Sequence, residues 1–437
     1  MQIYNKLING TKRGAEFIFI KCIFANMKLV LLIIYCCFFS VSYSQLIDYK
    51  KINSFTINEL NEKWKSASVP KIITPINYSI DIYDVLYYTE WHDGSMIKAS
   101  GLYFVPNKTE ASPLLVYNHG TRVDPKNRDI DCNREGLICA IFSTDGYAVI
   151  VPDYVGLGRG EKIHLYMHSE SEANASVYFM KAIEAVNESL KFKLNKQLFL
   201  TGYSQGGHST LALHQKIQEE YYVDYKVTAS SPMSGPYDPL DVQEKVMFNH
   251  YTQPHYLPYL LISYNEVYNM LPKESFYDIF KHPYDSIILN CFSKEKSFTT
   301  HDPLEEINNL LPNIPANMIR EDVVELYKTD YNFLKIFLQE NSVYDWKPES
   351  PVQLCYCKSD EEVLYQNSLL AYNVMRKNGA KNITKQCVSR KYNHVECAGF
   401  SAIHTKYFFD SFRKGSVKGR KGPILKRMII KLAKLFR

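Results

Sequence analysis

The sequence predicts an α/β fold with a mostly parallel central sheet interrupted by a long helical insertion. Three observations carry this. Short, continuously apolar runs such as Leu114–Asn118 and Tyr147–Tyr154 alternate with helical stretches such as Ser169–Leu190, the pattern of strands buried on both faces. A Gly-x-Ser-x-Gly turn, Gly202-Tyr203-Ser204-Gln205-Gly206, joins the apolar run Leu198–Leu200 to a helix continuing through His214. Residues 238–348 then break the alternation with a segment rich in Tyr, Phe, Pro and Asn before strands resume at Val352.

The chain has 437 residues, 46% of them hydrophobic, enough for a large core. Its start reads as an export signal: Met27-Lys28, an apolar run Leu29–Phe39, then small residues at Ser42 and Ser44. Cleavage is expected near Ser44, with Met27 as the start and residues 1–26 as an over-extended reading frame; an uncleaved membrane anchor is the alternative. Export would place the seven remaining cysteines, Cys132, Cys139, Cys291, Cys355, Cys357, Cys387 and Cys397, in an oxidising compartment as disulfides with one left over. Cys132 and Cys139 are near enough in sequence to staple one loop, and a bridge among the last four would brace the segments around Asp360 and His394. No paired CxxC or histidine cluster has metal-ligand spacing, so neither metal nor cofactor is expected.

Charge divides the chain. The whole carries +5, but residues 1–44 hold five Lys/Arg and one acid and residues 413–437 hold ten Lys/Arg and no acid, leaving the body 45–412 at −9. An acidic body argues against nucleic acid as a partner. The tail is a Gly- and Lys/Arg-rich linker followed by a basic amphipathic stretch over 423–437, with Leu425, Met428, Ile429, Leu432 and Phe436 on one helical face. That suits peripheral contact with an anionic membrane or docking on the acidic body.

Along the body, residues 45–70 read as a polar preamble with one short helix near Ile57–Lys65. Tyr78–Tyr88 and Ile97–Val105 form an antiparallel opening around His92-Asp93-Gly94-Ser95. The first core part spans 45–237 and the second spans 349–412. The insertion, with helical patches such as Asp322–Leu338, is expected to be a mostly helical cap over the site.

Ser204 lies at the tip of the strand-to-helix turn, where a strained backbone needs small neighbours and presents Oγ above the sheet. A serine hydroxyl is a weak nucleophile that needs a base, and the base needs an orienting group. Asp360 follows the apolar strand Val352–Cys357 and is the candidate acid; Glu361 and Glu362 are rivals, offset toward a following helix. His394, in the loop after the last strand, is the candidate base. His208, one turn into the nucleophile helix, reads as packing. The backbone N–H of Gln205 and of Thr121, in His119-Gly120-Thr121, are the expected oxyanion donors, with Gly120 and Arg122 as alternatives for the second. No substrate-binding residue stands out.

These pieces resemble the α/β-hydrolase superfamily across most of 75–412, and within it the secretory lipase/esterase branch. The matching residues are Ser100–Pro106, His119-Gly120-Thr121, Pro152-Asp153-Tyr154 with Gly156-Leu157-Gly158, Gly202–His208, Asp360 with Val363, and His394 with Cys397. The resemblance implies a secreted Ser-Asp-His hydrolase acting on a small-molecule carboxylic ester or lipid, with a lid inserted after the sixth core strand. The chain departs from it at Cys355-Tyr356-Cys357-Lys358, where many hydrolases have a small turn, and in its basic C-terminal extension. A serine peptidase of the same fold, or a non-catalytic binding protein on it, is the alternative. No propeller or charged peptide anchor is visible, and the aromatic insertion suits acyl chains.

Overall fold

The computed structural model describes residues 45–413, apart from 68, 70–73, 294–295, 297, 299–301 and 330–331. The expected export signal with its cleavage point near Ser44, and the basic stretch 423–437, lie outside the described residues. Arg413, the first residue of the expected basic tail, belongs to the last helix, and the rest of that tail also lies outside the described residues.

Among the described residues nine strands form one sheet: β1 Leu46–Phe55, β2 Ile80–Glu90, β3 Met96–Pro106, β4 Ser112–Asn118, β5 Ala148–Pro152, β6 Leu194–Tyr203, β7 Val227–Met233, β8 Val352–Cys357 and β9 Ile383–Ser389. Their order is β1-β2-β3-β5-β4-β6-β7-β8-β9. The first three strands and β5 pair antiparallel, and everything from β5 through β9 is parallel. The central strands read as unbroken apolar runs because both faces are covered; every residue of β4 and β5 is buried.

Helices cover the two faces: α1 Ile57–Ser66, α2 Glu135–Ser143, α3 Ser169–Leu190, α4 Gln205–Glu220, α10 Gln366–Lys377 and α11 His394–Arg413, with the intervening helices falling between β7 and β8. One core lies under α3 and α4, around Phe179, Ile183, Leu211 and Leu213. The other lies under α1, α2 and α11, around Trp64, Phe142 and Phe409. The start of α1 is written locally: Thr56 and Glu59 close a capping box.

Two elements were not expected. The preamble contains β1, a charged edge strand with two register shifts against β2; its LIDYKKINSF sequence lacks alternation because one edge faces solvent. The nine-residue α2 was also unread, being almost wholly apolar and buried and so without a helical stripe.

Between β7 and β8 the described residues are helical: α5 Tyr256–Tyr268, α6 Tyr284–Cys291, α7 Pro303–Asn308, α8 Glu321–Lys328, α9 Phe333–Glu340, and three short 3₁₀ turns. They bury a core of their own, including Leu261, Phe276, Phe280, Ile288 and Met318. The insertion follows the seventh strand, which is the sixth once the unanticipated β1 is set aside.

Among the described residues the cysteines form one bridge, Cys357–Cys397, while Cys132, Cys139, Cys291, Cys355 and Cys387 are free thiols. The expected loop staple between Cys132 and Cys139 is therefore absent. Both thiols are instead packed in the apolar core under α2, where burial pushes their pKa up and keeps them as unreactive thiols.

Candidate active site

The turn at Ser204 is built by crowding. Ser204 has φ 59° and ψ −123°, a left-handed conformation costing about 1–3 kcal/mol for a side-chain-bearing residue. The turn presses α4 against the end of β4: a Cβ on Gly206 would collide with the carbonyls of Asn118 and His119, and one on Gly202 with Asn118 and Gly206. The Ser204 N–H donates to Met233 O at 3.0 Å, tying the turn to β7. The Gln205 N–H is the first of α4 and lies where the helix's unpaired amides point.

Asp360 and His394 meet directly. His394 Nδ1 lies 2.8 Å and 2.9 Å from the two Asp360 carboxylate oxygens. The carboxylate only accepts, so Nδ1 carries the hydrogen and Nε2 keeps its lone pair. Asp360 is held in turn by the N–H groups of Val363 and Glu362, at 2.9 Å and 3.2 Å. The Cys357–Cys397 bridge joins the strand leading to Asp360 to the helix carrying His394. Burial alone lowers the imidazole's pKa; the hydrogen bond and charge of Asp360, with Glu362 and Glu361, outweigh it and hold the pKa above the usual histidine value.

Two expectations need correction. His394 is the first residue of α11 rather than a loop residue. Glu361 and Glu362 do not turn toward a following helix, because the chain makes a tight turn around Asp360 and the next helix begins only at Gln366. Glu361 accepts the His394 backbone N–H at 3.0 Å, a carboxylate at a helix N-terminus. Glu362 places Oε2 3.8 Å from His394 Nε2. Among the described residues no hydrogen bond joins Ser204 Oγ to His394; Tyr203 connects them, since its hydroxyl donates to His394 O and its ring lies 4.8 Å from the imidazole. Loose nucleophile–base geometry is common before substrate binds.

Around the turn, the Gly120 N–H donates to Glu135 Oε1 at 2.9 Å, which occupies one of the alternative oxyanion donors. Arg122 is anchored beside Asp153 at 3.5 Å and Glu135 at 3.9 Å, and Arg128 pairs with Asp153 at 2.8 Å and Asp84 at 2.9 Å. Asp153, fully buried, also accepts from Ser100 Oγ at 2.8 Å. This ionic knot, which leaves no room for a Cβ at Gly158, fixes the loop carrying Thr121. Thr121 Oγ1 lies 3.3 Å from the Tyr166 hydroxyl.

Beneath α4 sits a polar cluster that the sequence reading missed. Gln205 Nε2 donates to Glu172 Oε1 at 2.8 Å and lies 3.0 Å from His164 Nε2. His164 Nδ1 faces Val155 O at 3.0 Å, and burial lowers its pKa to about 4, so it is neutral. His208, expected to be packing, spans Glu172 Oε2 and Asn341 O at 2.8 Å each. It thereby ties α4 to α3 and to the end of the inserted segment.

Ser204 opens into an apolar cavity of about 80 Å³ whose walls include Tyr166, Met167, Met247, Leu257, Leu260 and Leu338. A second apolar cavity of about 100 Å³, inside the inserted helices, shares Met247 and Leu257 with the first. Among the described residues no group of three or more His, Cys, Asp or Glu could hold a metal, and no helix is long and apolar enough to cross a membrane.

This architecture is that of the α/β-hydrolases. The secretory lipase family model matches residues 128–232. Among solved structures, a putative hydrolase from Legionella pneumophila is 27% identical with TM-score 0.77, covering 85% of this chain and 99% of its own. The rice cell wall degrading esterase LipA from Xanthomonas oryzae is 22% identical with TM-score 0.71, covering 86% and 97%. Candida antarctica lipase A in its closed state shares the fold at 15% identity and TM-score 0.62, covering 87% and 84%. No curated protein sequence matches the chain. The secretory lipase match supports a hydrolase of the lipase/esterase kind, and the three solved structures share its fold.

Proposed function

We propose that this chain is a secreted serine hydrolase that cleaves carboxylic esters through Ser204, His394 and Asp360. The observation that carries the reading is the Asp360–His394 pair, with both carboxylate oxygens on Nδ1, next to a serine on a left-handed turn that opens into an apolar cavity. In the proposed mechanism His394 Nε2 takes the Ser204 proton as Oγ attacks the ester carbonyl. The tetrahedral oxyanion rests on the Gln205 and Thr121 N–H groups. His394 returns the proton to the leaving alcohol, giving an acyl-enzyme. Water, deprotonated by the same nitrogen, then releases the acid. The role of Gly120 as a second donor is disfavoured by its bond to Glu135.

The apolar walls fit the acyl part of an ester or lipid, and the inserted helices form the cap in this reading. The N-terminal pattern and the secretory lipase match support export; peripheral membrane contact is proposed for 423–437. Turnover of p-nitrophenyl esters of graded chain length, by the wild type and Ser204→Ala, tests the reading. The expected result is a loss of about 10⁵-fold or more in kcat. Equal turnover by both proteins, or cleavage of peptide amides without ester turnover, would overturn it.

A further inference from the structure

The carboxylate of Glu362 has no part in the mechanism above, yet it is the acid that faces the proton-accepting nitrogen. Its Oε2 is 3.8 Å from His394 Nε2, on the side of the ring opposite Asp360. The side chain is 9% exposed, and a buried carboxylate is costly unless its lone pairs are used. Here they are used by the inserted segment: Tyr256 donates its hydroxyl to Oε2 at 2.9 Å, and Gln253 donates Nε2 to Oε1 at 3.1 Å. The backbone carbonyl of Glu362 is gripped from the same segment by Tyr251 Oη at 2.7 Å and Gln243 Nε2 at 2.8 Å. Four donors from one segment thus converge on one residue beside the imidazole, and three of them, Gln243, Tyr251 and Tyr256, also line the Ser204 cavity.

We infer that Glu362 is a positioning residue through which the inserted segment sets the charge beside His394 Nε2, stabilising the imidazolium formed when that nitrogen holds the Ser204 proton. The inference rests on the hydrolase reading above. A negative charge about 4 Å from a buried cation is a strong interaction even after solvent screening, and unlike Asp360 it is not fixed by the sheet. Its placement depends on donors from 243–256, so the geometry of the segment over the cavity and the basicity of His394 are linked.

The ionisable groups around Glu362 come from several elements. Asp360 and Glu361 share its loop and raise its pKa. His394 on α11 and the Tyr256 hydroxyl lower it. Burial is the largest influence, and the net pKa lies above the ordinary glutamate value. Tyr203 on β6, Tyr166 before α3, and Tyr251 lie within its field as neutral phenols whose own pKa values are pushed up by burial.

The test is the acid limb of the kcat/KM–pH profile on a short p-nitrophenyl ester, read for wild type, Glu362→Gln and Tyr256→Phe. Glu362→Gln keeps the size and can still accept from Tyr256, but removes the charge. Without it His394 gives up its proton more easily, so the limb moves down by about one pH unit. Tyr256→Phe removes a donor that favours the ionised carboxylate, so the limb moves the same way by less. A purely structural role would lower the height of the profile and leave its limb in place. A folded, active Glu362→Gln enzyme whose limb coincides with the wild type would overturn the inference. Should that variant not fold, an unmoved limb in Tyr256→Phe would do so. Undiminished turnover by Ser204→Ala would instead remove the hydrolase reading itself, so the two failures are distinct.

Discussion

The two regions that meet at Ser204 follow different physical rules. On the sheet side almost nothing can be exchanged. Ser204 sits at φ 59°, Gly202 and Gly206 have backbone where a Cβ would be, and Asp153 gathers Ser100, Arg122 and Arg128 into a buried knot beneath the Thr121 loop. On the inserted side the cavity walls are mostly apolar side chains drawn from helices and short 3₁₀ turns, where volume and polarity count more than identity. The sheet side holds particular atoms to a geometry; the inserted side holds a volume. Glu362 is where the two are joined, being a sheet-side residue gripped by inserted-side donors.

Breaking the sheet side should therefore suppress turnover of every ester alike. The largest such effect after loss of Ser204 itself is expected for Asp360→Asn, which keeps the shape but can hold the imidazole in the wrong tautomer. A fall of about 10⁴-fold in kcat, uniform across chain lengths, is the expected outcome of steady-state kinetics on a graded ester series. A fall confined to long esters would blur the distinction between the regions. Changing the inserted side should do the reverse. Met247 is shared by both cavities, and Met247→Trp would fill space on the wall common to them. Short-chain esters should keep their kcat/KM to within a few-fold, while long-chain esters lose about 10- to 100-fold, since each methylene denied burial forfeits about 0.8 kcal/mol. Equal losses at all lengths would show that the second cavity takes no part in acyl binding. The pH displacement expected for Glu362→Gln is smaller still, and it asks whether the two regions communicate at all.

The same division explains what could be read from the sequence. Ser204, Asp360 and His394 each follow a strand in the order Ser, Asp, His, so residue type and local pattern were enough to single them out as candidates. Strands such as β8 and the long α3 were legible because burial on both faces, or on one stripe, writes a period into the chain. The edge strand β1 was not, because half its surroundings are solvent. Glu172 and His164 were missed, and Glu362 was weighed only as a rival of Asp360, for a different reason. Glu172 is an ordinary first-turn acid of a helix until the fold brings it under Gln205 and His208. Glu362 looks like one acid in a run of three until the inserted segment supplies Tyr256 and Gln253. Their meaning comes from contacts more than a hundred residues away in the case of Glu362, and no local pattern records those.

The pairing of cysteines makes the same point. Cys132 and Cys139 are close in the chain but belong to an apolar core, while Cys357 and Cys397, 40 residues apart, are brought together because β8 and α11 deliver Asp360 and His394 to one place. A bridge of that span stabilises the fold by about 2–4 kcal/mol and restrains the elements that carry Asp360 and His394.

The central claim is that Ser204 is the nucleophile, and covalent trapping reads it most directly. The folded enzyme is treated with a fluorophosphonate carrying an alkyl chain, digested, and mapped by mass spectrometry. The account predicts a single phosphonyl adduct on the peptide containing Ser204, formed in step with loss of esterase activity and absent from Ser204→Ala. Stoichiometric inactivation with the adduct on any other residue, or full activity after Ser204 is modified, would contradict it.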